Sequence, residues 1–196
     1  PDELPYLWLQ LEQNIRKKDA PALLKNTEGE GAMNNINDLI GESEVNRFAT
    51  KYLKKKFEGG FNISYIKDVM GNPLKYTINM TMMRVDLPQP LKSGEQFKFS
   101  IKWWYNINNH VENRARSGYE YFPEDDNRLY VIAQFFPRLA VYNEVEGWQN
   151  HQFWGNGEFA LNFGNYEVNI TVPADHVLDA TGVLMNPKEV LSREQY

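Results

Sequence analysis

Gln96-Phe-Lys-Phe-Ser-Ile-Lys-Trp-Trp-Tyr-Asn-Ile107 decides the fold class. Phe97, Phe99, Ile101 and Trp103 fall on alternate positions, with Lys98, Ser100 and Lys102 between them. Successive side chains on a strand point to opposite faces, so the run reads as one long strand with an apolar side. The adjacent Trp103 and Trp104 must then face opposite ways, and one of them is exposed or covered by a partner.

The same two-residue period recurs on both sides of this run. Leu4 to Leu11 alternates at Leu7, Leu9 and Leu11, with Pro5 confined to the start or an edge. Phe61 to Ile66 alternates on the odd positions 61, 63 and 65, and Tyr76 to Met82 alternates again after a Gly71-Asn-Pro turn. Met83 to Leu87 leads into Pro88, Pro90 and a Ser93-Gly94 turn. Further on, Leu129 to Phe135, Glu158 to Phe163 and Tyr166 to Val172 read as strands, the last two joined by a Gly164-Asn165 turn. Short strands separated by Pro, Gly and Asn turns predict a mainly β fold, a twisted antiparallel sheet or β-sandwich with one or two short helices.

Residues 1–196 read as a single β-rich domain, with three stretches outside the pattern. Residues 14–60 form a polar, glycine-rich excursion carrying one helix, Ser43 to Phe57. There Val45, Phe48, Ala49, Tyr52 and Leu53 share a face and Gly59-Gly60 stops the helix. Asn108 to Asn127 is a polar insertion, and residues 183–196 open a linker or helix at Asn186-Pro.

Composition narrows the function classes. Hydrophobic residues make up 42% and aromatics 14% of the 196 residues, a share that builds a core and favours strands. No apolar run is long enough for a membrane-spanning helix. Pro1 in place of an initiator methionine reads as the start of a processed or excised piece. At a net charge of −5 the one basic cluster, Lys51 to Lys56, reads as a solvated helix face rather than a nucleic-acid stripe. With no cysteine, the chain has neither disulfides nor thiolate chemistry.

Catalytic patterns are missing. His110, His151 and His176 are widely spaced, and none has a His or Glu partner one helical turn away, the arrangement of zinc hydrolases. There is no nucleophile elbow and no phosphate loop, and Gly155-Asn-Gly157 lacks a following helix. Glu144 and Glu146 have nothing that singles them out as an acid–base pair, and Glu124-Asp-Asp-Asn127 lacks the ligand spacing of a calcium loop. No residue is assigned as catalytic or metal-binding, and no cofactor is expected in this chain.

One region reads as a signature. Ala133-Gln-Phe-Phe-Pro-Arg-Leu-Ala-Val-Tyr142, Glu146-Gly-Trp148, Gly157-Glu-Phe159, Phe163-Gly-Asn-Tyr166 and Thr171-Val-Pro-Ala-Asp-His-Val-Leu-Asp-Ala-Thr-Gly182 belong to it. These segments resemble the N-terminal β domain of zinc metallopeptidases of the membrane alanyl aminopeptidase family, in the form of bacterial secreted members. Leu7 to Asn14 and Tyr65 to Tyr76 fit the same domain.

The resemblance implies a saddle-like, non-catalytic β domain, truncated at both ends. It implies packing on a catalytic domain of the same polypeptide, which would hold zinc through H-E-x-x-H, and a periplasmic, cell-surface or secreted location. Gly31-Ala-Met-Asn34 imitates the family's substrate-binding motif, but precedes the matched strands and reads as chance. The resemblance places Gln134 and Phe136 in the lining of the substrate cleft, where family members carry Gln-x-Glu or Gln-x-Gln to hold the peptide's free amine. Phe136 departs from that pattern and leaves only a cation–π contact at its position. A different class of function, a carbohydrate-binding β-sandwich, would use Trp103, Trp104, Tyr105, Trp148 and Trp154 as stacking platforms. Fragment edges would also favour pairing through an edge strand.

Overall fold

The computed structural model describes residues 2–17, 57–113, 117–153 and 160–194. They fall in two units, Pro1–Asn162 and Phe163–Tyr196. The first unit is mainly β and antiparallel, as the alternation predicts. Strand β1 (Leu4–Gln10) lies inside a four-stranded sheet with β3 (Tyr76–Asn79), β4 (Met82–Leu91) and β8 (Arg138–Leu139), in the order β3-β4-β1-β8. Among the described residues three two-stranded ribbons accompany it: β2 (Asn62–Asp68) with β5 (Phe99–Trp104), β6 (Gly118–Phe122) with β7 (Asn127–Val131), and β9 (Tyr142–Asn143) with β10 (Gly147–Trp148). Among the described residues, helix is confined to a 3-10 turn at Glu12–Arg16 and two single turns, α1 (His110–Asn113) and α2 (Pro187–Val190).

The core forms between the sheet and the β2–β5 ribbon. Leu9 and Leu11 meet Met83 and Val85 of β4, and Phe61, Ile66 and Leu74 close the cluster. From β5, Phe99, Ile101 and Trp103 pack onto it, as their alternation predicts. Burying each large side chain of this kind contributes about 1.5–3 kcal/mol. Pro5 is exposed and sits where the β1–β4 register slips between Leu4 and Tyr6, a place that tolerates its missing N–H.

Elsewhere the structure corrects the periodic reading. In β2 a bulge between Ile63 and Tyr65 inverts the alternation, so Ile66 is buried and Tyr65 exposed. Tyr76 to Met82 is not one strand: it turns at Met80–Thr81, and Asn79 pairs with Met82. The polar insertion at Asn108–Asn127 contains α1 and β6, held by Tyr119 N–H on the Asn108 carbonyl at 2.8 Å. The expected strand Leu129–Phe135 ends at Val131. The excursion expected from residue 14 starts on a buried anchor, since Asn14 and Ile15 lie in the 3-10 turn. The expected Ser43–Phe57 helix as far as residue 56, together with Gly31–Asn34, Lys51–Lys56, Gly155–Gly157 and Trp154, lies outside the described residues.

The predicted hairpin around Gly164-Asn165 does not form. Residues 160–172 carry no strand, Gly164 lacks the positive φ of a primed turn, and Leu161, Val168, Ile170 and Val172 are exposed. Alternation supplies a strand's face but not its hydrogen-bonding neighbour. Within the second unit, α2 begins at Asn186-Pro187, where Asn186 Nδ2 donates to Glu189 Oε2 at 3.1 Å.

Candidate functional site

The C-terminal end of β1 gathers polar side chains that the core would be expected to exclude. Glu12, Gln13 and Asn14 are 2%, 1% and 1% exposed. A buried polar group is costly unless it is hydrogen-bonded, so their partners define what this turn does. Gln13 Nε2 donates to the carbonyls of Ala133 and Gln134, both at 3.1 Å, and Gln13 Oε1 accepts from Arg16 Nη1 at 2.7 Å. Asn14 Nδ2 donates to the Met80 carbonyl at 2.8 Å, and its Oδ1 accepts the Phe61 N–H at 2.8 Å. Arg138 bridges to Glu12 Oε1 and reaches Gln10 Oε1 at 3.2 Å. Glu12 Oε2 is buried with no partner among the described residues.

Two short segments are thereby clamped on either flank of β1. Gln10 pairs with Met82 on one side and Arg138 on the other. Adjacent strands lie about 4.8 Å apart, so those flanks are about 10 Å from each other. Each flank carries a non-glycine residue at positive φ, Met80 at 54° and Gln134 at 53°. Such backbone costs on the order of 1–3 kcal/mol and persists only where its surroundings over-determine it. Asp126, at 50°, has a local explanation in the tight β6–β7 turn.

Gln134 therefore sits in a loop, not on a strand. Its carbonyl is held by Gln13, and its side-chain amide has no partner among the described residues. Next to it, the Phe135 carbonyl accepts the Trp103 indole N–H at 2.9 Å, and the Phe135 and Phe136 rings meet edge-on at 5.1 Å. Gln134 and Phe136 are both half-buried and lie two residues apart in one pinned loop. The polar residues that shape this loop escaped sequence reading, because Gln13 and Asn14 look like the start of a surface excursion. Their one signal is their position directly after the apolar alternation of β1.

The other candidates stay apart. His151 is exposed, and His176, in the second unit, pairs with Asp175 at 2.8 Å. That hydrogen bond holds the Asp175 carboxyl below its ordinary range. Among the described residues no group of three or more His, Asp or Glu is placed to hold a metal ion. Glu144 and Glu146 occupy the exposed β9–β10 turn, whose N–H groups at 145 and 146 are capped by Asn143. Trp103 faces the core and Trp104 is 55% exposed, while Trp148 meets Tyr142 edge-on.

No family model, curated protein or solved structure matches the chain.

Proposed function

We propose that this chain is a non-catalytic β domain of a zinc-dependent metallopeptidase of aminopeptidase type. It packs on a catalytic domain of the same polypeptide and lines the peptide cleft with Gln134 and Phe136. The observation that carries this reading is Gln134 itself: strained backbone, carbonyl clamped from a buried turn, and a side-chain amide with no partner among the described residues. The amide oxygen can accept a hydrogen bond from a peptide's terminal ammonium, and the Phe136 ring can add a cation–π contact. Preorganised groups of this kind lose little entropy when the ligand binds. In this reading zinc belongs to the catalytic domain, and the location is periplasmic, cell-surface or secreted.

The experiment has two arms. The complete open reading frame should encode H-E-x-x-H. In the full-length protein, Gln134→Ala and Phe136→Ala should lower kcat/KM for peptides with a free amine more than for N-acylated ones. A frame without a zinc motif, or unchanged kcat/KM for both variants across peptide lengths, would overturn the reading. The carbohydrate alternative keeps Trp104, with Tyr65 on the exposed side of the same ribbon. Glycan binding abolished by Trp104→Ala would replace the peptidase reading.

A further inference from the structure

We infer that Met80 is a further ligand-contacting residue of the same site, offering an apolar contact to the peptide held beside Gln134. The inference rests on the peptidase reading and adds a residue that neither the periodicity nor the resemblance singled out. Met80–Thr81 is a two-residue hairpin loop closed by the Asn79–Met82 pair, and only Met80 has positive φ. That is the position at which such a turn takes glycine. A methionine there is strained, and side-chain and backbone hydrogen bonds from distant parts of the chain hold the loop in place. Asn14 Nδ2 binds the Met80 carbonyl at 2.8 Å, and the Thr81 N–H donates to Gln152 Oε1 at 2.9 Å. Gln152 Nε2 donates to the Asn79 carbonyl at 3.0 Å, and the Leu11 N–H to the Thr81 carbonyl at 2.8 Å.

The strain is not kept to fill the core. Thr81, Met82 and Met83 are buried, whereas Met80 is 43% exposed. Its clamp, Asn14, is the neighbour in sequence of Gln13, which clamps Gln134. Both left-handed residues are thus presented from one buried turn, on opposite flanks of β1. Methionine is unbranched and polarizable, and it adapts to apolar groups of different shape. The contact suits an apolar side chain of a peptide, with broad tolerance for which one.

The test uses the whole chain with methyl-labelled methionine and 15N-labelled glutamine, titrated with Leu-Leu-Ala amide and its N-acetyl form and followed by NMR. Met80→Gly identifies the Met80 methyl resonance and relieves the strain, and Met80→Ala removes the side chain while keeping the strain. The Met80 methyl should shift on titration. Both variants should bind the free peptide about tenfold more weakly, the loss of one apolar contact. Met80→Gly should also raise the Tm. If both peptides move Met80 equally, the contact stands and amine recognition fails. If the Gln134 amide moves while Met80 is silent, or the variants bind like the parent chain, the inference fails and the reading stands. Silence at both residues overturns both.

Discussion

Gln13 Nε2 lies 3.1 Å from the Gln134 carbonyl oxygen, joining residues 121 positions apart in sequence. The same nitrogen reaches the Ala133 carbonyl, so one side-chain amide sets the path of the loop that carries both cleft candidates. Gln13→Ala should cost about 1–3 kcal/mol, the penalty for leaving part-buried carbonyls without donors. Urea unfolding measures it. The Trp103 indole proton, bonded to the Phe135 carbonyl, should shift in the same variant as the loop relaxes.

Arg138 and Glu12 form a pair with little solvent access, their side chains 15% and 2% exposed. Removing one partner strands the other charge. Arg138→Ala should destabilise by about 3–5 kcal/mol, whereas a combined Glu12→Gln, Arg138→Met replacement should cost less. Thermal unfolding of the three proteins checks the order; equal loss in both variants would contradict it.

Gln152 contacts the β3–β4 turn through three atoms, Thr81 N and Oγ1 at 2.9 and 2.7 Å and the Asn79 carbonyl at 3.0 Å. Gln152→Ala should cost about 1–2 kcal/mol and loosen the Met80 backbone. Amide hydrogen exchange at residues 79–82 should rise, with exchange in β5 unchanged.

Asp68 closes the turn after β2. Its carboxylate accepts the Asn72 side-chain amide at 3.0 Å and the backbone N–H groups of Asn72 and Met70 at 2.8 and 2.9 Å. These bonds, the Asn72 side chain first, hold its carboxyl below the usual range. A depressed folded pKa means stability that is present above the unfolded pKa and lost as pH falls through the folded one. Asp68→Asn should therefore flatten the fall in Tm below about pH 4. Tm measured from pH 6 to pH 2 decides it.

Much of the fold was legible because strand periodicity is local. Leu7, Leu9 and Leu11 and the Phe99, Ile101 and Trp103 face all turn inward as their spacing predicts. The misses share one cause, which is that a strand's partner is not written in its own alternation. The bulge at Ser64, the turn at Met80 and the absence of a strand over residues 166–172 each depend on what lies beside the chain. The candidate site divides in the same way. Gln134 and Phe136 were reached from the signature around Ala133–Tyr142, whereas Met80 sits in a hairpin loop without the glycine or asparagine that would announce a turn.

By itself, the sequence determined the antiparallel β class, the apolar faces of β1 and β5 and the absence of thiol chemistry. All of these follow from residue type and two-residue spacing. Only the tertiary structure decided that Gln13 and Asn14 are buried, and that they impose left-handed backbone on Gln134 and Met80. The reason is physical. A side chain's inward face is set by its neighbours in sequence, but a buried amide's partners are set by whichever carbonyls the distant chain brings within 3 Å.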